Sequence, residues 1–366
     1  MRKSDCFEKV LALLRCELWR GSLTCEVTAE EIDGILAVAR RQGVDGLVAN
    51  AIVSNNLPIG EEKTVDVCTV TRLHELKGRE MNQKVARFAG FLNRRNLKYV
   101  VMKGQTMAAL YPHPLMRSCG DIDFYCPKES FKDAQKAIEE RLGIQMIHNK
   151  SEKHDNFEVG TFRFEMHSDM TSLSYYKHQK YWDGIVDEEI RKDPCIVELE
   201  DGEVAVLPPT LNSVYVFSHL MEHLVENVIA LKQLCDWAMV LHHYKNKIDK
   251  ERLAMHLGQL GLTKAYKGLG AWIVEKLGFP KDEFPLPLEE KDYRWVRLVD
   301  ADFAYWMDRS RKKVKIKGSM SWLHSMQTAR IVVRQTMHFF WLAPAEMFWR
   351  IPKMARWSIR KRMIDD

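Results

Sequence analysis

The chain lacks any uncharged apolar run of 18 residues, and none of its cysteines form a C-x-x-C pair. The first absence argues against a membrane-spanning helix, which needs about 20 apolar residues. The eight cysteines are scattered among apolar positions, so a secreted disulfide scaffold is disfavoured and reduced, mostly buried thiols are expected. The N-terminal segment also lacks the apolar core of a signal peptide. We therefore expect a cytoplasmic protein.

Neither sign of charge dominates the composition, and there is no internal repeat or low-complexity segment. The 366 residues include 55 basic and 50 acidic side chains, a net charge of +5. The basic excess is concentrated at the C-terminal end, because residues 309–366 carry fourteen Lys or Arg against three acids. This end is typical of a solvated helical face, and it could also meet a phosphate-rich partner such as nucleic acid or an anionic membrane.

Three regions follow from the length and from the periodicity of apolar residues. A chain of this length exceeds most single cores, which favours two or three lobes. Residues 1–96 have helical spacing, residues 97–208 alternate short β-type runs with helices, and residues 209–366 are helical again. The middle region predicts a small α/β unit. Its first four predicted strands are 97–102, 121–126, 144–148 and 161–170.

Two carboxylates dominate the second of these predicted strands. Asp121 and Asp123 are two positions apart, so their side chains project from the same face. Two adjacent carboxylates repel each other unless a cation lies between them. Mg²⁺ prefers such hard oxygen ligands and commonly combines one or two carboxylates with substrate phosphates. A solvated acidic turn is the alternative interpretation of this pair taken alone.

A possible phosphate-binding segment precedes the acidic pair. Lys103 and Gly104 end the first predicted strand, and the glycine allows the backbone to approach a ligand closely. The helix predicted to follow would direct free N–H groups at phosphate. Gln105 and Thr106 could add side-chain donors. Arg117 could bind phosphate through two parallel hydrogen bonds, although an exposed loop arginine is an equal alternative.

A third acidic position lies on a later predicted strand. The alternation in Arg163–His167 places Glu165 and His167 on one face and the apolar residues on the other. Glu165 could complete a three-carboxylate site for two-metal phosphoryl transfer. Its alternative role is an ion pair with a neighbouring Lys or Arg.

Together these motifs resemble the uncharacterised nucleotidyltransferases of the DNA polymerase β superfamily. The resemblance rests on Met102–Gly104, Leu110–Pro112, Arg117, Gly120–Asp123 and Glu165–His167. It implies an α+β fold, in which a small mixed β-sheet nucleotidyltransferase core is flanked by helical N-terminal and C-terminal lobes. It also implies transfer of a nucleoside monophosphate from a nucleoside triphosphate (NTP) to an acceptor hydroxyl, with two Mg²⁺ ions and release of pyrophosphate.

The resemblance assigns roles by motif position. Asp121 and Asp123 would ligate both metals, Glu165 would ligate one and help to activate the acceptor, and Gly104 would cradle the triphosphate. The usual Gly-Ser or Gly-Gly pair is Gly-Gln here, so a phosphate-binding serine hydroxyl is missing unless Thr106 replaces it. Lys103 could compensate as a phosphate ligand.

Other features leave alternatives open. His219 and His223 could bind a metal with Asp236, or they could pack in the core. In the resemblance, His167, Lys232 and Asp236 border the substrate pocket. The acceptor could be a small molecule, a protein or an RNA end.

Two further functions are compatible with the sequence. One is a catalytically degenerate module on the same fold that binds a nucleotide or a partner without turnover. The other is a membrane-surface adaptor, because residues 339–362 mix aromatic and basic side chains that suit weak contact with an anionic membrane.

Overall fold

The computed structural model describes residues 3–148, 154–192, 194–226, 229–308 and 321–365. Residues 309–320 of the predicted basic end therefore lie outside the described residues, as do the side chains of residues 321–328 and 357–365. Within the described segments, no helix is both long enough and apolar enough to span a bilayer.

The structure is α+β, as the sequence predicts. The N-terminal helices are α1 (Lys3–Trp19), α2 (Ile32–Arg41), α3 (Asp45–Ser54) and α4 (Glu61–Arg94). The central region contains β1 (Val100–Val101), α5 (Gln105–Ala108), β2 (Ile122–Tyr125), α6 (Lys128–Leu142), β3 (Ile147–His148), β4 (His154–Val159), β5 (Phe162–His167), α7 (Tyr176–Ile190), β6 (Cys195–Leu199) and β7 (Gly202–Val206). The C-terminal helices are α8 (Pro209–Glu226), α9 (Leu231–His243), α10 (Lys250–Gln259), α11 (Thr263–Leu277), α12 (Glu290–Asp308), α13 (Ser321–Phe339) and α14 (Pro344–Asp365).

Five strands form one mixed sheet in the order β1-β2-β5-β4-β3. Only β2 and β5 pair in parallel, while their outer neighbours pair antiparallel. The strands β6 and β7 form a separate two-stranded sheet. The strands predicted at 97–102, 121–126, 144–148 and 161–170 are observed as β1, β2, β3 and β5, each shorter than expected. Neither β4 nor α7 was predicted.

The two faces of the central strands have opposite character, because successive side chains point to opposite sides. Phe124 of β2 and Phe164 of β5 pack against Phe88 of α4, with ring centroids 4.7 and 5.0 Å from the Phe88 ring. Phe157 of β4 stacks on Phe164 at 5.1 Å. This aromatic layer buries one face under α4, so the polar residues of β2 and β5 point to the other side.

The helical regions share a continuous apolar core. Buried side chains of α1–α3 and of α8–α12 belong to one cluster, which also includes Met107 and Tyr111 next to the sheet. Near its centre, the Trp237 ring lies 4.9 Å from Phe217 and 4.8 Å from Tyr266. Burial of this aromatic surface fixes α8 and α9 relative to each other. The division into lobes at residues 96 and 208 stays a prediction.

Helix α3 packs closely on the loop that leads to β2. A Cβ atom on Gly46 would overlap the Met116 carbonyl oxygen and would lie 2.8 Å from Cγ of His74. Only glycine allows this approach between a helix and a backbone carbonyl. The contact holds the short 3₁₀ turn Pro114–Met116 directly before Arg117.

We predict that Gly46→Ala lowers the free energy of unfolding by about 1–3 kcal/mol, because the added methyl group must displace backbone rather than a flexible side-chain end. Urea denaturation provides the measurement. Gly258→Ala is the matched control, since nothing lies within 4 Å of its Cβ position in α10. This control should be neutral or stabilising by up to about 1 kcal/mol. Equal stability of the two variants would contradict the close packing of α3 on the loop.

Candidate active site

The parallel pairing of β2 with β5 brings two acidic strands together. Asp123 lies directly opposite Glu165, and Tyr125 lies opposite His167. The His167 Nε2 atom is 3.0 Å from Asp123 Oδ1 and 3.7 Å from Glu165 Oε2. One ligand atom from each of these three residues falls within 4.8 Å of the others. The three residues therefore form a compact set of potential metal ligands.

Asp121 stands at the edge of this set. It precedes β2 by one residue, is exposed and lines the same cavity as Asp123 and Glu165. The predicted metal ligands were Asp121, Asp123 and Glu165, whereas the compact group contains His167 together with Asp123 and Glu165. The Glu-x-His alternation on β5 was the available signal, since it puts both side chains on one face. Asp121 adds a further carboxylate at the rim.

A cavity of about 290 Å³ is lined in part by Asp121, Asp123 and Glu165. The sheet supplies one side, the turn at Lys103 and Gly104 supplies another, and α8 and α9 close the cavity opposite the sheet. The helical wall carries Tyr215, His219, His223, Lys232 and Asp236. The cavity thus joins the strand motifs to helical residues that follow them by 50 positions or more in the chain.

Lys103 and Gly104 form a turn beside the acidic group. The Lys103 Nζ atom lies 3.4 Å from Asp123 Oδ2. Burial opposes charge on Asp123, but Lys103 and His167 outweigh it and hold the pKa of this carboxyl far below its usual range. Gly104 has φ +71°, and a Cβ there would be 3.6 Å from the Asp121 carbonyl oxygen. A positive φ favours glycine at this position, so the bend depends on Gly104.

The next two residues support the turn from behind. The Gln105 side-chain nitrogen donates to the Gly78 carbonyl at 3.2 Å and to Asn82 Oδ1. The Thr106 hydroxyl donates to the Lys103 carbonyl at 3.3 Å. Both side chains are buried and bond away from the cavity. The helix predicted after Gly104 is the four-residue α5, which is too short to provide a substantial dipole.

Arg117 is buried in an ion pair with a residue of α9. Its Nε and second terminal nitrogen donate to the two carboxylate oxygens of Asp236, each at 2.7 Å. Its remaining nitrogen donates to the Ser118 carbonyl and to Cys119 Sγ. The Tyr111 hydroxyl also donates to Asp236 at 2.7 Å. Arg117 therefore ties the loop before β2 to α9, with each of its nitrogens already donating inside the protein.

Burial would raise the pKa of the Asp236 carboxyl, but Arg117 keeps that pKa below its usual range. Both carboxylate oxygens of Asp236 accept hydrogen bonds from Arg117, and no compact group of potential metal ligands among the described residues combines Asp236 with His219 and His223. Instead, the Nε2 atoms of these two histidines face each other at 3.1 Å. Lys232 lies nearby on α9, and burial, followed by the charge of Arg117, lowers its pKa.

The donor chemistry of the acidic group fits a divalent cation. The carboxylates of Asp123 and Glu165 are hard ligands of the kind that Mg²⁺ and Mn²⁺ prefer, with Asp121 close by. The imidazole of His167 is equally suited to Mn²⁺ or Zn²⁺. The structure therefore accommodates the metal that the sequence predicted, without selecting Mg²⁺ or a number of ions.

We predict that Asp236→Ala lowers the free energy of unfolding by about 3–5 kcal/mol, because it leaves Arg117 buried without its counter-ion. Chemical denaturation followed by circular dichroism measures the change. Lys192→Ala provides a control at an exposed pair with Glu188 and Glu189, where a loss of about 1 kcal/mol or less is expected. A similar small loss of stability in both variants would contradict a strongly stabilising buried ion pair between Arg117 and Asp236.

A comparison with known families agrees with this geometry. Residues 28–277, about two thirds of the chain, match the family described as "Uncharacterised nucleotidyltransferase". No curated protein matches the chain. The matched region contains both acidic strands, the turn at Gly104 and the helices α8 and α9. The chain therefore belongs to this uncharacterised nucleotidyltransferase family.

Proposed function

We propose that the protein transfers a nucleoside monophosphate from an NTP to an acceptor hydroxyl inside this cavity. The observation that carries the proposal is the register of β2 and β5, which sets Asp123 opposite Glu165. The turn at Lys103 and Gly104 lies on the same cavity. Carboxylates for a metal and a cation for phosphate are thus adjacent, as phosphoryl transfer requires.

In this proposal Asp121, Asp123 and Glu165 hold the divalent metal, and His167 adds a nitrogen ligand or orients Asp123. When bound, the metal would neutralise triphosphate charge and polarise the attacked phosphorus. Lys103 offers its ammonium group to the same phosphates. Support for this role comes from its position 3.4 Å from Asp123, at the boundary between metal ligands and the turn.

The remaining residues predicted to bind nucleotide act mainly through position. Gly104 lets the backbone approach the triphosphate. Gln105 fixes the turn to α4, and Thr106 stabilises the turn internally through the Lys103 carbonyl. Arg117 aligns α9 with the sheet through Asp236. Lys232, on the same helix, supplies a second cation opposite Lys103 for an anionic part of the substrate.

A membrane contact at the C-terminus is a separate prediction. Three apolar side chains of this end are largely exposed, namely Met337 at 74 %, Trp341 at 66 % and Phe348 at 60 %. Their exposure favours a surface contact, and it is independent of the acidic cavity. The catalytic proposal leaves the acceptor as a small molecule, a protein or an RNA end.

We predict that the protein releases pyrophosphate from at least one NTP in a Mg²⁺-dependent reaction, with water or glycerol serving as the probe acceptor. The double variant Asp121→Asn/Asp123→Asn should lose roughly a hundredfold or more in kcat, because the metal contributes several kcal/mol of charge stabilisation. Pyrophosphate release and equilibrium binding of each of the four NTPs, with and without Mg²⁺, provide the measurements.

Asp133→Asn serves as the control, since this carboxylate is exposed on α6 away from the cavity. Its kcat should match that of the wild type. Mg²⁺-linked NTP binding without release would favour the nucleotide-binding module over the enzyme. Absence of both binding and release would exclude both functions.

A further inference from the structure

Three side chains on α8 form a chain of contacts that ends at the cavity. The Glu222 Oε2 atom lies 3.5 Å from His219 Nδ1, and the His219 Nε2 atom lies 3.1 Å from His223 Nε2. Both imidazoles line the cavity that contains Asp121 and Asp123. Glu222 does not line this cavity, so the contacts run from a carboxylate outside the cavity wall to two imidazoles on it.

The far end of this chain is a firmly held carboxylate. Glu222 Oε1 accepts hydrogen bonds from the Thr171 hydroxyl at 2.8 Å and from the Ser172 backbone N–H. Burial opposes its charge, but the contact with His219 and these hydrogen bonds lower the pKa of Glu222 to about 2. The carboxylate is consequently ionised near neutral pH and can only accept hydrogen bonds.

These contacts determine the tautomers of the two histidines. Because Glu222 only accepts, it favours a proton on His219 Nδ1, which leaves a lone pair on His219 Nε2. The facing His223 Nε2 must then carry the proton that His219 accepts. Neutral His223 retains its lone pair on Nδ1, and this atom has no hydrogen-bond partner within the segments that the structure describes.

A second feature of the same helix face is a buried hydroxyl without a hydrogen-bond partner in the described part of the chain. Tyr215 precedes His219 by one turn, so Tyr215, His219 and His223 follow one another along the cavity side of α8. Tyr215 is 1 % exposed, and its hydroxyl has no partner among the described residues. A buried hydroxyl without a partner is costly, so a polar group of the substrate is the natural partner.

A metal site on the two histidines is less well supported. Among the described residues, the only group of three potential ligands within reach of one another is Asp123, Glu165 and His167. Glu222 contacts the other nitrogen of His219, and within the described segments the histidine pair is not part of a compact group of three ligands. A hydrogen bond between the two imidazoles explains their separation without a cation.

We propose that His223 is the general base that removes the proton from the acceptor hydroxyl, and that His219 and Glu222 are positioning residues that orient it. This inference rests on the proposed function. The acceptor oxygen forms a bond to the α-phosphorus, the bond from that phosphorus to pyrophosphate breaks, and the hydroxyl proton passes to His223 Nδ1. Pyrophosphate leaves with the bonding electrons, and the imidazolium later returns its proton to solvent.

The charges around His223 make this base dependent on substrate. Burial, then the neighbouring His219, Lys103 and Lys232, lower the pKa of His223 to about 3, against the opposing charge of Glu222. A bound triphosphate offsets the two lysines, so an imidazolium forms more readily in the complex. His223 is thus neutral before substrate binds and becomes a stronger base afterwards, which suits proton removal.

The kinetic test uses the full chain with Mg²⁺, each of the four NTPs, and water or glycerol as the nucleophile. His223→Ala should lower kcat about a hundredfold while the NTP dissociation constant stays within twofold, and added imidazole should restore part of the rate. Glu222→Gln should lower kcat less and should not respond to imidazole. His243→Ala is the matched control, because His243 is exposed at the end of α9. Circular dichroism confirms that each variant folds.

A second readout does not require turnover. Nitrogen-15 NMR of the imidazoles should show the proton of His219 on Nδ1 and that of His223 on Nε2. The reverse pattern would overturn the proposal that His219 and Glu222 orient His223 as the base. A wild type that releases no pyrophosphate from any NTP overturns the proposed function and the base role with it. An active wild type whose His223→Ala variant keeps its full kcat overturns the base role alone.

Discussion

The register of β2 against β5 is the constraint on which the cavity depends. Parallel pairing places the carboxylates of Asp123 and Glu165 on adjacent strands at the same level. Such a pair is unfavourable in a partly buried position unless positive charge lies nearby. The protein supplies that charge through Lys103 and through Arg163, whose Nε atom is 3.1 Å from Glu165. The phenylalanine layer on the opposite face holds the register, because a slip by one residue would exchange the two faces.

The helical wall adds groups that the sheet does not contain. The Arg117–Asp236 ion pair connects the loop before β2 to α9, so the acidic strands and Lys232 are held in one arrangement. Helix α8 then contributes Tyr215, His219 and His223 along one face. In the proposed function the sheet manages the charge of the triphosphate, while α8 supplies groups for the acceptor. This division explains why the cavity lies between the sheet and the helices.

The sequence predicts the local parts of this architecture better than its distant contacts. Alternation alone places Glu165 and His167 on one face, and the helical segments follow from their apolar period. The sequence does not predict that Arg117 pairs with Asp236, because 119 residues separate the two. An arginine near a phosphate-binding motif equally suggests a residue that binds phosphate. The contacts of Glu222, His219 and His223 on α8 could not be predicted either. Two histidines four residues apart have the same spacing whether they pack in a core or line a site. Helix α7 was not predicted because its sequence lacks a strong apolar face, and few of its residues are buried in the structure.

Electrostatics links the two halves of the proposed reaction. Without ligand, Lys103 and His167 stabilise the charge of Asp123. A divalent cation on the same carboxylate would remove the need for Lys103 there, so its ammonium group would become available to phosphate. Once phosphate neutralises Lys103 and Lys232, the charge that suppresses protonation of His223 is also reduced. Metal and triphosphate are therefore expected to bind with positive coupling, because the metal frees the Lys103 ammonium group that the triphosphate needs.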